Sequence, residues 1–559
     1  MTRHGALCTL LALVLIAVFW SVAVSSVKAE TIGPYVLHDA IAIYGNDGFT
    51  AENGVVRGSG TAADPFVIEG WDIGSFQSYG IDVKNVNAHF VIKDCYLHTG
   101  GFYQIGIYLD SCVNGVIREC VCSEIGTGVY LHSSAGMLLM NNTFERSGGG
   151  GVFLDDESGS SILVNNVLTE NLLGIGLGSP GDNVLVNNTC SDNVDGILLG
   201  WSSDNVLVDN TCSRNSQFGI SLGSSNGNSL VNNTCADNGF GIRLDTSDDN
   251  SIVGSRCLSN DGNGIYVFDS RHNTVADSTC LMNDWFGINL ENSADNVLIN
   301  NTCSTDNDYG YGISIGSSDG NWIVGNDCVL NGEMGVILYG SNHNNLSDNL
   351  CSRNGKGISL YYSSHNNLTG NKCSDSVQYG IYLVDVTSVD NRLWNNTLSH
   401  NNGAGDAFDP MHVQAYDDGA GNRWNSTCGY GNSWSDWGRP DLCPRDGIVD
   451  FPYLIDGGAG SADMCPIAEP TADPSVLVRD LIEVVEGWNL HKGVNIGLVS
   501  KLADALSLLD KGAVNGALHK LMDFASMAQA QGSKKLTMAQ ADYAVGSAES
   551  IISVLRSPR

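Results

Sequence analysis

The sequence predicts a mainly β fold. It is a right-handed parallel β-helix solenoid of about 14 coils, 22–25 residues each, plus a small C-terminal all-α domain of four helices. Three observations carry this. One phrase recurs: "NVLVNNTCSDNVDGILLG" from Asn183, "NVLVDNTCSRNSQFGISLG" from Asn205, "NSLVNNTCADNGFGIRLD" from Asn228. Within each phrase apolar residues alternate with polar ones, the two-residue period of strands. Finally, 22 to 25 residues per unit leave no room for crossover helices, so each unit must be a coil of short strands stacked on the last. The right hand follows from the handedness of parallel crossovers. Strands stacked about 4.8 Å apart make a rod of roughly 65 Å.

The elements follow in chain order. Residues 1–29 read as a signal peptide: a basic start at "MTRH", a long apolar run, and small Val27 and Ala29 before the cleavage point. With that segment removed, no membrane span is expected, and the protein is placed outside the cell or on its surface. Residues 30–65 form an N-terminal cap, and residues 66–400 the β-helix.

The unit-opening asparagines are Asn183, Asn205, Asn228, Asn250, Asn273, Asn296, Asn321, Asn344, Asn366 and Asn391. At a buried bend each can bond its own backbone and the coil above and below. An unpaired amide there costs about 1–3 kcal/mol, so a stacked ladder satisfies itself. A cysteine file, Cys190 to Cys373 with nine members, is replaced by Leu168 one coil before and Leu398 one coil after. Apolar replacement at both ends marks the position as buried core. A disulfide fits poorly at a spacing of about 4.8 Å. A soft-metal channel is the remaining alternative.

In each "GI-x-L" segment the third residue should face outward. That column brings Tyr108, Tyr130 and Phe153 together on consecutive early coils, with Asp155 and Asp156 at the border. An aromatic stripe on a rod suits the C–H faces of sugar rings, although aromatics also favour strands for packing alone. Carboxylate pairs such as Asp155–Asp156 serve either turns or catalysis. His343 and His365, one coil apart, fall about 5 Å from each other, where a metal could bridge them.

Residues 401–467 close the helix. Cys428 and Cys443 lie there and suit a disulfide in an exported chain. Asn425 heads the glycosylation sequon that stands outside the repeat. Residues 468–475 are a linker, and residues 476–559 a module of four amphipathic helices. The formal net charge is −34. It excludes nucleic acid as a partner and favours cations or neutral ligands.

"GSGTAADPFVIEGWDI" (58–73), the repeats, and the closing "AYDDGAGNRWN", "GNSWSDW" and "DGIVDFPYLID" resemble the NosD-like family of right-handed β-helix proteins. That resemblance implies an exported surface protein of the carbohydrate-binding or sugar-hydrolase type. The family's closing segment carries a run like a calcium loop. Asp441, Asp446 and Asp450 are kept here, while Leu442, Cys443 and Arg445 interrupt the ligand alternation. Calcium is therefore a possible cofactor and no other is expected. The family name suggests copper, but no Met/His cluster stands out; Met411 and His412 are alone. The helical module resembles the FIMAH type, which implies docking to a protein partner. The expected function is glycan binding or adhesion at the cell surface, the partner being a polysaccharide or surface glycan, without an evident catalytic constellation. The alternatives are a lyase, hydrolase or epimerase acting on a glycan, and a plain envelope spacer.

Overall fold

A computed structural model describes residues 35–305, 307–426, 430–439, 447–467 and most of 474–555. The signal segment, Asp441, Asp446, Cys428 and Cys443 lie outside the described residues.

Each repeat folds as one coil of three short strands, and equivalent strands of successive coils pair in parallel. Three long sheets of 16, 16 and 17 strands result. Two of the strands per coil are three residues long, as in Val206–Val208 and Thr211–Ser213. The third, such as Asp195–Gly200, has six. Register is strict: Ile197 pairs with Ile220 and Cys190 with Cys212. The inward residues of every rung stack into one continuous apolar core. The solenoid is right-handed and parallel.

The opening asparagines form the expected ladder. Asn205 Oδ1 accepts from the backbone N–H and the Nδ2 of Asn183, at 2.9 and 3.1 Å, and Asn205 donates likewise to Asn228. Two further asparagine ladders run beside it, through Asn188–Asn210–Asn233 and Asn193–Asn215–Asn238. A file of serines, Ser202–Ser225–Ser247, makes a fourth. At three corners of each coil, the residue before the ladder asparagine has left-handed backbone, as at Asp182, Asn187 and Asp192. Asp and Asn adopt that conformation more readily than other side chains. This is the physical reason for the recurring "DN" and "NN". Gly196 answers a different need: a Cβ there would meet the Gly219 carbonyl oxygen at 2.4 Å.

All nine cysteines of the file are free and fully buried. Burial pushes the Cys235 thiol well up, with the neighbouring thiols adding to it. The thiols flanking Cys257 and Cys351 pull those two down by donating to them.

The rod is sealed at both ends by aromatics. Phe49 stacks on Phe66 at 4.5 Å near the start. Near residue 450, Trp434 lies on Tyr453 at 3.8 Å, and the Trp434 indole donates to the buried Asp463. Beyond the rod, helices α1 (Pro474–Gly487), α2 (Lys492–Leu509) and α3 (Val514–Gln531) share their own core with Ala541, Ala544, Ala548 and Ile551 from a further helical stretch. Among the described residues, no helix is long and apolar enough to cross a membrane.

Candidate functional site

The six-residue strands present three outward residues per coil, and strict register turns each position into a file along the rod. In the middle file Tyr108, Tyr130 and Phe153 are direct cross-strand partners. Their ring centroids are 5.7 and 5.4 Å apart, and Tyr79 extends the stack at 4.6 Å from Tyr108. The Lys84 ammonium sits 5.0 and 5.1 Å from the Tyr79 and Tyr108 rings, which is cation–π geometry.

The next file places Asp110, His132 and Asp155 side by side. His132 Nδ1 lies 2.9 Å from Asp155 Oδ1 and 3.3 Å from Asp156 Oδ2. The Tyr130 hydroxyl donates to the other oxygen of Asp155. Asp155 thus holds the phenol and the imidazole together at one end of the aromatic stripe. The hydrogen bond that Asp155 accepts raises the His132 pKa above its usual value, and the Asp110 and Asp156 charges reinforce it. Burial, then the Asp155 hydrogen bond, raises the Tyr130 phenol. Burial and the Asp110 charge push Tyr108 up to about 12. One nitrogen of His132 and one oxygen from each of Asp155 and Asp156 lie within 4.8 Å of one another, close enough to share a small cation.

All five residues expected at the glycan face therefore meet in one place. His132, Tyr79 and Lys84 complete the site and were not singled out in the sequence. The signal for His132 was present: "YLH" puts it two residues after Tyr130, hence on the same face. Asp450 is exposed in the closing segment, apart from this site. Asn425 is half-buried and lines a cleft on a different sheet. The ten ladder asparagines lie within the coil corners, nearly all fully buried.

The same outward face carries more aromatics further along. Phe218, Phe240 and Tyr266 are spaced 5.8 and 6.3 Å, with Arg243 over the Phe218 ring at 5.2 Å. Tyr379, Tyr382 and Tyr416 cluster at 5.1 to 5.5 Å. One face thus offers several aromatic platforms along the rod, with Phe286 and Tyr311 adding a pair at 5.2 Å.

A family model described as periplasmic copper-binding protein (NosD) matches residues 40–211 and 258–438, and one described as right handed beta helix region matches residues 174–327. No curated protein matches the chain. Among solved structures, the mannuronan C-5 epimerase A-module of Azotobacter vinelandii is 17% identical, over 50% of this chain and 87% of that one, with a TM-score of 0.37. The periplasmic alginate epimerase is 13% identical, over 64% and 84%, with a TM-score of 0.35. An alginate lyase from Paenibacillus sp. is 12% identical, over 60% and 99%, with a TM-score of 0.27. Likeness at these scores carries no functional weight.

Proposed function

Because the chain belongs to the family described as periplasmic copper-binding protein (NosD), we propose that it is an exported, cell-surface β-helix protein that binds a glycan chain along the outward face of its six-residue strands. The observation that carries the reading is the continuous stack of Tyr79, Tyr108, Tyr130 and Phe153. Sugar rings bury their C–H faces on such a surface while their hydroxyls reach adjacent polar groups. The carboxylates of Asp110, Asp155 and Asp156 and the imidazole of His132 stand beside the stack to take those hydroxyls. The later platforms extend the face for a long polymer. The helical module at the C-terminus serves to dock a protein partner in this scheme.

The imidazole of His132 and the phenol of Tyr130 are both shifted toward keeping their protons, so neither is set up as a general base. The second reading, a lyase or epimerase acting on the same polymer, draws on the closeness of Tyr130, Asp155 and His132. Deuterium uptake into the sugar from D2O, or ultraviolet absorbance from an unsaturated chain end, would reveal it.

The family name implies copper. Among the described residues, the converging donors are one imidazole with two carboxylates. The thiol file is linear and sealed from solvent. Neither is the clustered Cys, Met and His set that selects copper, and Met411 is exposed while His412 faces the Asn402 carbonyl. Among the described residues, no donor set fits the metal.

The test is a glycan array followed by titration calorimetry on the best binder. Tyr108→Ala and Tyr130→Ala should each weaken binding about tenfold, as expected for loss of one stacked aromatic. Unchanged affinity in both variants would overturn the reading.

A further inference from the structure

The 16-strand sheet that contains Arg392–Trp394 carries a second feature of opposite character. Three outward files converge there in the last coils. His343 and His365 stack with centroids 5.0 Å apart and planes within 9°. Arg392 follows Asn367 in its file, and a parallel bridge places Arg423 on the rung beyond. Trp394 stands two residues past Arg392, on the same face of the strand. The closing segment then brings Tyr430 alongside. These residues line a cleft of about 830 Å³.

The charge of this cleft is out of keeping with the rest of the chain. The protein carries a formal net charge of −34. Lys84, Lys93, Arg118, Arg146, Arg214 and Arg243 each hold a carboxylate. Among the described residues, no ion pair is formed by Arg392 or Arg423, nor by Arg256, Arg271, Arg353 or Lys372; what sets the first two apart is that they are neighbours on successive rungs. Arginines on adjacent rungs of one file bring like charges near each other, which an anion between them relieves. Asp390 is the one carboxylate among the lining residues. A metal between the two histidines is disfavoured by the same two guanidiniums.

We propose that this cleft binds the carboxylate of an acidic sugar residue, a uronate, within a glycan chain. The paired guanidiniums supply the fork that matches a carboxylate in a bidentate manner. Trp394 and Tyr430 supply flat apolar walls for the sugar ring. The lining amides of Asn367 and Asn425 suit ring hydroxyls. The site is independent of the aromatic stripe, which lies on another sheet. An N-glycan on Asn425 would fill the same space, so the two occupants exclude each other.

The experiment uses the full chain made in a host that adds no N-glycans. Oligogalacturonate, a neutral oligosaccharide of equal length, and inorganic sulfate are titrated separately. Oligogalacturonate should bind, weaken as salt rises, and lose at least about tenfold affinity in both Arg392→Ala and Arg423→Ala. Lys372→Ala, which removes an exposed cation on the third sheet, should leave this binding unchanged. Four outcomes would overturn the proposal: no binding of oligogalacturonate, equal affinity in the arginine variants, equal binding of the neutral oligosaccharide, or equal competition by sulfate. Failure of the stripe reading shows itself separately, in the tyrosine variants. Both guanidinium positions are exposed, so circular dichroism should report an unchanged fold in the variants.

Discussion

The Asp155 carboxylate organises the end of the stripe by accepting from both Tyr130 and His132. Its effect on His132 has a definite sign. The folded-state imidazole has a raised pKa, so its contribution to stability is fully present below its unfolded value, about 6.5. That contribution is lost as pH rises through the raised folded value. Asp155→Asn should lower the His132 pKa toward the ordinary range, read from the imidazole C–H shifts in a pH titration by NMR. No change in that variant would contradict the geometry. The ladder makes a second prediction at this scale. Asn210 Oδ1 satisfies the backbone N–H and the Nδ2 of Asn188, and Asn210 Nδ2 satisfies the Leu185 carbonyl. Asn210→Ala removes a partner from each of those buried groups and should cost at least about 1–3 kcal/mol in denaturant unfolding. Arg256→Ala, at an exposed strand position with ordinary backbone, should stay within about 0.5 kcal/mol.

At the scale of elements, the outward stripe was legible because strand alternation and a constant period jointly fix which residues face solvent and which are neighbours. Tyr108, Tyr130 and Phe153 needed nothing more than the phase of "GI-x-L". His132 was harder, because a histidine at that position occurs in one coil and the repeat gives it no emphasis. The basic cleft was legible only in its histidines: the stacking of His343 on His365 follows from the repeat, while the meeting of the two arginines does not. One of its walls comes from the closing segment, where the ladder runs on but the spacing changes. Asn391 donates to Asn422, 31 residues later, and Asn396 to Asn432, 36 residues later. A search at 22 to 25 residues stops one rung short, so Arg423 never lines up with Arg392. The second and third asparagine ladders were present in "VNNT" and "CSDN", but sequence alone does not say which asparagine turns inward. The stripe itself makes a prediction. If ring stacking carries glycan binding, Tyr108→Phe should keep affinity within about threefold while Tyr108→Ala loses about tenfold, both measured by calorimetry.

At the scale of the whole molecule, each coil touches only its neighbours, so stability is a sum of local terms. Removing residues 228–249, one full coil of 22 residues, joins Gly227 to Asn250 at the same phase of the repeat. That deletion should fold cooperatively with a modest fall in Tm. Removing residues 228–238 alone breaks the phase of every file and should abolish folding, both read by circular dichroism. The most direct measurement concerns the stacking on which the stripe, the cleft and the ladders all depend. Arg256 and Lys372 are exposed and lie in one file, five rungs apart through Thr279, Thr302, Asp327 and Leu350. Spin labels at these two positions, read by pulsed electron paramagnetic resonance, should give a narrow distribution between attachment points near about 24 Å, five steps of about 4.8 Å. A broad distribution, or one centred far from that distance, would mean that the coils do not stack in register.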